Sequence, residues 1–172
     1  MSQPLAYFLT WHTYGTWLHG EERGSVDPRH NVVGEPFAPA CEARERSAQS
    51  RLEQKAVLLN AFERQVVQST ILDVSKHRRW RPFAIHVRTT HAHVVVFAEA
   101  KAERVLNDFK SYATRRLREA GRFGMEENVW SRHGSTRYLW KEDQVWSKID
   151  YVVNAQGDVL EPSPFLAAEY PR

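Results

Sequence analysis

The chain has 172 residues, 42% of them hydrophobic and 26% charged, a balance typical of one globular domain of ordinary size. The formal net charge is +3, and no apolar run approaches the roughly 20 residues of a membrane-spanning helix, which argues against a membrane protein. The single cysteine, Cys41, excludes an internal disulfide and a cysteine-rich zinc site. Because the N-terminus also lacks the features of a secretory signal, we expect a cytoplasmic protein.

The first half of the chain predicts one strand, a long loop and a helical segment. Residues 5–17 are rich in aromatic and β-branched side chains, which predicts a strand. Residues 18–40 are dense in Gly, Pro and Asp and predict a loop excursion, and loops of that length often carry function. Residues 43–76 contain no Gly or Pro and show apolar residues at helical spacing, which predicts a helix in one or two pieces.

The second half predicts three further strands and two helices. Residues 81–90 and 91–99 are strands close enough to pair antiparallel, and residues 134–140 are a fourth strand. Between them lies a helix over residues 101–122, with a buried stripe at Ala102, Val105, Leu106, Phe109, Ala113 and Leu117. A last helix covers residues 141–157, and the tail after residue 160 is expected to be irregular.

This order of elements predicts an α+β fold. The pattern β-α-β-β-α-β is typical of a ferredoxin-like antiparallel sheet, here followed by an additional C-terminal helix. We expect residues 1–172 to form one domain. Because this fold hosts many functions, the function must be inferred from a site.

Basic residues cluster in two places despite the modest net charge. Residues 76–82 and residues 110–122 are rich in arginine and lysine. Local stripes of this kind suit a polyanionic partner such as nucleic acid, and they are equally compatible with solvated helix faces.

Two histidines, His91 and His93, stand at the head of the apolar run "VVVF". Residues two apart on a strand point to the same face, so the two imidazoles can hold one metal ion. The alternative is a pair of hydrogen-bonded surface histidines at a strand start. Imidazole suits Mn, Zn, Co or Ni, and phosphate oxygens and water can complete a Mg or Mn coordination sphere.

Two tyrosines lie on the predicted helices. Tyr112 sits beside the buried stripe of its helix, where an aromatic at the edge of the core is the simpler interpretation. In the last helix the apolar positions include Ile149 and Val152, and Tyr151 projects about 200° away from Ile149. Tyr151 is therefore either a half-exposed surface residue or a phenol displayed toward a metal-bound phosphate.

Five segments in order resemble the REP-associated tyrosine transposases, which belong to the single-tyrosine HUH family: "YFLTWHTYGTWLHGEERG", "THAHVVV", "FKSYATRRL", "VWSRHGSTRYLW" and "IDYVVNAQG". HUH denotes two histidines that flank a bulky hydrophobic residue, and Ala92 is a small departure from this pattern. The resemblance implies that His91 and His93 bind a divalent Mg or Mn ion and that Tyr151 is the nucleophile.

The resemblance implies a third metal ligand one helical turn after the tyrosine. That position is Ala155, which cannot bind a metal. We expect Gln156 to supply the ligand, while Asn154 remains a neighbouring option. Three residues from elsewhere in the chain also remain open as substitutes: His86, Glu99 and His133.

The reaction implied by the resemblance is nicking and rejoining of single-stranded DNA at REP-like hairpins. Tyrosine attack forms a 5′-phosphotyrosine intermediate, which conserves the phosphodiester energy without ATP. The implied phosphate contacts lie on the basic stripe: Lys110, Arg115, Arg116, Arg118 and Arg122. Unpaired bases are expected to stack on those aromatics that are exposed among Trp11, Tyr14, Trp17, Trp80 and Trp130, and burial of most of the tryptophans in the core remains the alternative. A nucleoid-associated protein is expected, and both a homodimer and a monomer remain open.

Two other functions remain open. One is a non-catalytic ferredoxin-like module that binds nucleic acid, with incidental histidines, although the strands lack the aromatic pattern of the common RNA-binding sheet. The other is a domesticated HUH nuclease with a host role. Metal-dependent nicking would separate the binding module from either nuclease.

Overall fold

A computed structural model describes residues 3–18 and 40–155 of the chain. In chain order the elements are β1 (Ala6–His12), α1 (Glu42–Ser50), α2 (Ala61–Arg78), β2 (Arg81–Val87), β3 (His91–Phe97), α3 (Ala102–Glu119), β4 (Ser135–Leu139) and α4 (Glu142–Asn154). The strands form one antiparallel sheet in the order β2-β3-β1-β4. The predicted class, a ferredoxin-like α+β fold with an additional C-terminal helix, is confirmed.

The two long helices begin and end as their sequences dictate. Asn60 opens α2 with a capping box, in which its side chain accepts from the Glu63 amide and the Glu63 carboxylate accepts from the Asn60 amide. The six predicted stripe residues of α3 are all buried. Gly121 lies just beyond α3 at a φ of 67°, a left-handed conformation that glycine adopts without strain.

The sheet has two differently covered faces. Leu9 and Val94 point to the face that α2 and α3 cover, which holds the larger core. Phe8 and Val95 point to the opposite face, which α4 covers with Val152 and its apolar neighbours. Since alternate strand residues share a face, His91 and His93 lie on the α4 face together with Val95.

Several predicted boundaries shift in the structure. β1 ends at His12 rather than residue 17, because the chain turns at Gly15, where φ is 71°. The predicted helical segment of residues 43–76 is divided into α1 and α2. Most of the predicted loop excursion (residues 19–39), Gln156 and the tail lie outside the described residues.

No helix within residues 3–18 and 40–155 combines the length and the apolar character needed to cross a bilayer.

Candidate functional site

A row of polar side chains crosses the α4 face of the sheet. His93 on β3 lies directly opposite Thr10 on one side and His86 on the other, and Thr10 lies opposite Ser135 of β4. Directly opposite residues of antiparallel strands point to the same face, so these four side chains form one line across four strands. Polar residues on the three largely apolar strands β1, β2 and β3 mark this line as the candidate site.

Both predicted metal-binding histidines are oriented by threonines. The His93 Nδ1 atom lies 2.8 Å from the Thr10 hydroxyl, and the His91 Nδ1 atom lies 3.0 Å from the Thr90 hydroxyl. The two rings are 4.8 Å apart between centroids. If each hydroxyl accepts from Nδ1–H, Nε2 is the atom of each ring that is left to bind a metal. Hydrogen-bond partners commonly fix metal-binding histidines in this way.

The two imidazoles fit a divalent ion as part of its ligand set. Two imidazoles at metal–nitrogen distances of about 2.1 Å place their centroids about 5 Å apart, close to the observed separation of the His91 and His93 rings. No group of three or more His, Cys, Asp or Glu side chains that could hold a metal occurs in residues 3–18 and 40–155. Gln156, the expected third ligand, lies outside the described residues, so its part in the ligand set stays a prediction.

The proposed substitutes for the third ligand occupy different places. His86 is buried, and its Nδ1–H donates to the Val152 carbonyl of α4 at 3.1 Å. Burial lowers the pKa of His86, with smaller contributions from Arg88 and Arg64, so the ring is neutral at pH 7 and ties α4 to the sheet. Glu99 follows the far end of β3, about 20 Å along the strand from His93. His133 is exposed, and its carbonyl accepts from Lys110.

Tyr151 lies against this row. Its ring meets the His93 ring edge-on at 5.6 Å and the Phe8 ring edge-on at 6.0 Å. Phe8 in turn stacks on His93 at 5.5 Å. The side chain of Tyr151 remains 39% exposed, so its phenol is held beside the histidines and is still accessible to a substrate.

The chain is similar in fold to a REP-associated tyrosine transposase. The solved structure of that transposase, bound to a REP hairpin, matches 88% of this chain with a TM-score of 0.52 and 12% sequence identity. This chain spans 66% of the length of that transposase chain. The structure of a putative transposase from Deinococcus radiodurans R1 is also similar, with a TM-score of 0.44 and 12% identity over 86% of this chain and 88% of that one. No protein-family model and no curated protein matches the sequence.

At 12% identity the likeness to the REP-associated transposase establishes the fold alone, and the role of each residue depends on its own geometry. Tyr112 lies on α3 and packs against the larger core, beneath the Arg115 guanidinium at 5.2 Å. It is thus on the other side of the sheet from His93. Of the two tyrosines considered from the sequence, only Tyr151 contacts the histidine row.

The predicted phosphate-binding residues also lie on α3 or just beyond it, in the layer opposite the candidate site. The Lys110 ammonium donates to the backbone carbonyl of Ser131 at 2.7 Å, and burial lowers its pKa. Arg118 donates to the carbonyls of residues 124, 125 and 127, and Arg116 forms ion pairs. Arg122 pairs with the buried carboxylate of Glu63 at 2.9 Å.

The aromatic residues expected to stack on bases are largely internal. Trp11, Trp80 and Trp130 are buried in the core, which is the alternative that the sequence left open, so these three do not offer an exposed face to a base. The exposed tryptophans are Trp140 and Trp146, at 49% and 44%. Sequence composition alone did not separate the two groups, because burial of a tryptophan depends on whether its side of the strand, helix or connecting segment faces the core.

Sequence reasoning missed Ser135 of β4 and three residues of β1: Phe8, Thr10 and His12. All three alternate on β1, and the His12 ring lies 5.4 Å from that of His91. The signal was present in the pattern Phe-Leu-Thr-Trp-His, where every second residue of an apolar strand is polar or aromatic. Its significance depends on knowing that β1 pairs with β3.

Proposed function

We propose that this protein nicks and rejoins single-stranded DNA at hairpin sequences, with Tyr151 as the nucleophile and a divalent Mg or Mn ion held by His91 and His93. The observation that carries the proposal is the contact of the exposed Tyr151 ring with His93, one residue of an oriented histidine pair. The transposase-like fold supports a DNA-processing role. Because the REP-associated transposase of similar fold was solved in complex with a REP hairpin, a hairpin is the substrate we propose.

The chain's own residues supply nucleophile and orientation. The Tyr151 oxygen attacks the scissile phosphorus, the P–O3′ bond breaks, and the phenol proton is lost while the departing 3′ oxygen gains a proton. The product is a 5′-phosphotyrosine and a free 3′-OH, and the reverse attack by a 3′-OH rejoins the strand. Phe8 fixes the Tyr151 ring, and Thr10 fixes that of His93.

A divalent ion bound by His91 and His93 would polarise the phosphate and offset its developing negative charge. Gln156 is proposed as a further ligand. Since Tyr151 contacts His93 of the same chain and His93 contacts His91, we propose that a single chain can supply the nucleophile and both histidines.

The test is formation of a covalent protein–DNA adduct, measured on denaturing gels with a single-stranded hairpin oligonucleotide and Mn or Mg. Tyr151→Phe should abolish the adduct, because the phenol oxygen is the attacking atom. Tyr112→Phe, the matched control on α3, should retain it. His91→Ala and His93→Ala should each lose the adduct but retain DNA binding, since phosphate contacts by basic residues dominate affinity.

The same assay separates the alternatives. An adduct that persists in Tyr151→Phe would refute the choice of nucleophile. Tight hairpin binding by the wild type without any adduct, at any metal concentration, would favour the non-catalytic binding module. Mixing Tyr151→Phe with His93→Ala chains should not restore the adduct if one chain supplies both groups.

A further inference from the structure

The cations of α3 are largely engaged within the protein. Lys110 and Arg118 hold backbone carbonyls, and Arg116 and Arg122 form ion pairs with carboxylates. A cation already paired with an acid must exchange that partner to bind a phosphate. This stripe is therefore a poorer polyanion surface than its sequence suggests.

Lys148 carries a positive charge beside the candidate site rather than on α3. It is half-buried on α4, and its ammonium nitrogen lies 5.3 Å from the ring centroids of both Phe8 and Tyr151. This distance is within the range of a cation–π contact with each ring. Lys148 forms no ion pair with a carboxylate in residues 3–18 and 40–155, so its charge is held beside Tyr151 and is not neutralised by an acid there.

Arg137 is a second basic residue on the α4 face, next to Phe8 in the sheet. It is an exposed residue of the edge strand β4 and stands directly opposite Phe8 of β1, so both side chains point to the α4 face. Within the described part of the chain it too has no carboxylate partner. Asp143 and Asp150 of α4 lie about 150° around the helix from Lys148, away from this surface.

We propose that Arg137 and Lys148 bind the backbone phosphates of single-stranded DNA on the α4 face and guide the strand to Tyr151. This inference rests on the proposed function and names the DNA-binding surface of its site. The chemistry is complementary, because Lys148 contacts the Tyr151 ring, Arg137 is the strand partner of Phe8 on the same face, and a phosphodiester backbone carries one negative charge per nucleotide. The competing surface is the α3 stripe, which lies in the opposite layer.

The experiment measures the affinity for a single-stranded hairpin oligonucleotide by fluorescence anisotropy over a series of salt concentrations. All proteins carry Tyr151→Phe, which keeps the ring but prevents covalent chemistry from affecting the binding equilibrium. Arg137→Gln with Lys148→Gln is compared with Arg115→Gln and Arg116→Gln on α3, which removes the same charge. Arg137→Lys with Lys148→Arg retains both charges, and thermal unfolding of each variant reports its folding.

The slope of log K against log salt is negative, and loss of two single-strand phosphate contacts should reduce its magnitude by about 1.4. If the affinities converge at 1 M salt, this change corresponds to roughly 25-fold weaker binding at 0.1 M salt. The α3 variant should keep the parental slope, and the charge-retaining variant should also keep it. An unchanged slope in the α4-face variant, or an equal decrease in the α3 variant, would overturn the inference.

These outcomes are independent of the adduct assay. If the α4-face variant shows the decrease in slope but the wild type forms no adduct, the DNA-binding surface stands and the proposed nuclease reaction fails. If the adduct forms but the slope does not change, the reaction stands and this surface is wrong.

Discussion

Phe8 gives the sharpest test of how the candidate site is assembled. Its ring is 7% exposed, stacks on His93 at 5.5 Å and meets the Tyr151 ring at 6.0 Å. Replacement by leucine keeps an apolar side chain of similar volume but removes both ring contacts and the cation–π contact with Lys148. Phe8→Leu should therefore disturb the position of Tyr151 relative to the histidines more than it disturbs the core.

The expected loss in the free energy of unfolding from Phe8→Leu is modest. We expect about 1 kcal/mol from the change of packing shape, and about 0.5 kcal/mol from each of the two ring contacts because one partner is partly exposed. The cation–π contact with Lys148 adds about 0.5 kcal/mol. The total loss of about 2.5 kcal/mol leaves a domain of typical stability folded. A displacement of the reacting groups by about 1 Å can cost about 100-fold in rate, so single-turnover adduct formation should slow roughly 10- to 100-fold.

Leu9→Ala is the matched control, because Leu9 is the next residue of β1 and points to the opposite face of the sheet. It is fully buried, and its truncation should cost about 3 kcal/mol, more than Phe8→Leu. Rates are compared at a temperature where circular dichroism shows all the proteins to be folded. If Leu9→Ala slows adduct formation as much as Phe8→Leu, or if Phe8→Leu has no effect, Phe8 does not position the nucleophile.

Two further predictions concern the elements around the site. Because burial lowers the pKa of His86 in the folded chain below the usual 6.5, the unfolded chain binds a proton first as the pH falls. The contribution of His86 to the free energy of unfolding should thus be complete above about pH 6.5 and should decline below it. Urea titrations should show a smaller decline in His86→Gln. Gly134→Ala should destabilise the protein by about 1–3 kcal/mol, because the added Cβ would lie 2.8 Å from the Thr10 carbonyl oxygen, which belongs to the backbone of β1. Gly124→Ala should be milder in the same urea titrations, since its nearest neighbour is the end of the Glu127 side chain at 3.3 Å, and equal losses would contradict the steric argument.

Periodicity predicted most elements of the fold because each has a clear hydrophobic pattern. The buried stripe of α3 follows a period near 3.6, and β3 is a continuous apolar run at the centre of the sheet. The end of β1 was not predictable in this way. Trp17 continues the aromatic and β-branched composition, but the chain turns at Gly15, and composition averaged over a window does not register a single left-handed residue.

The candidate site was predictable only where the pattern within a single strand or helix marks its residues. His91 and His93 share a strand face by simple alternation, and Tyr151 was distinguished by its position away from the apolar stripe of its helix. Phe8 and Arg137 join the site through strand pairing, which a single sequence does not specify. The basic stripe of α3 illustrates the converse case, since a cluster of charges in sequence does not reveal that Arg122 is paired with a buried acid.

The position of α4 links the stability of the fold to the proposed chemistry. The α2 and α3 helices cover one face of the sheet with a large core, whereas α4 covers the other face with a small apolar cluster that includes Val145 and Val152. Because α4 covers only part of this face, Tyr151 and His91 remain accessible to a large substrate, which a fully covered face would exclude. Because this apolar cluster is small, few contacts among the described residues hold α4 on the sheet. The hydrogen bond from His86 to the Val152 carbonyl holds α4 one residue beyond Tyr151. His86 is therefore best understood as a residue that positions the tyrosine-bearing helix, while the metal-binding role belongs to His91 and His93 in the proposed mechanism.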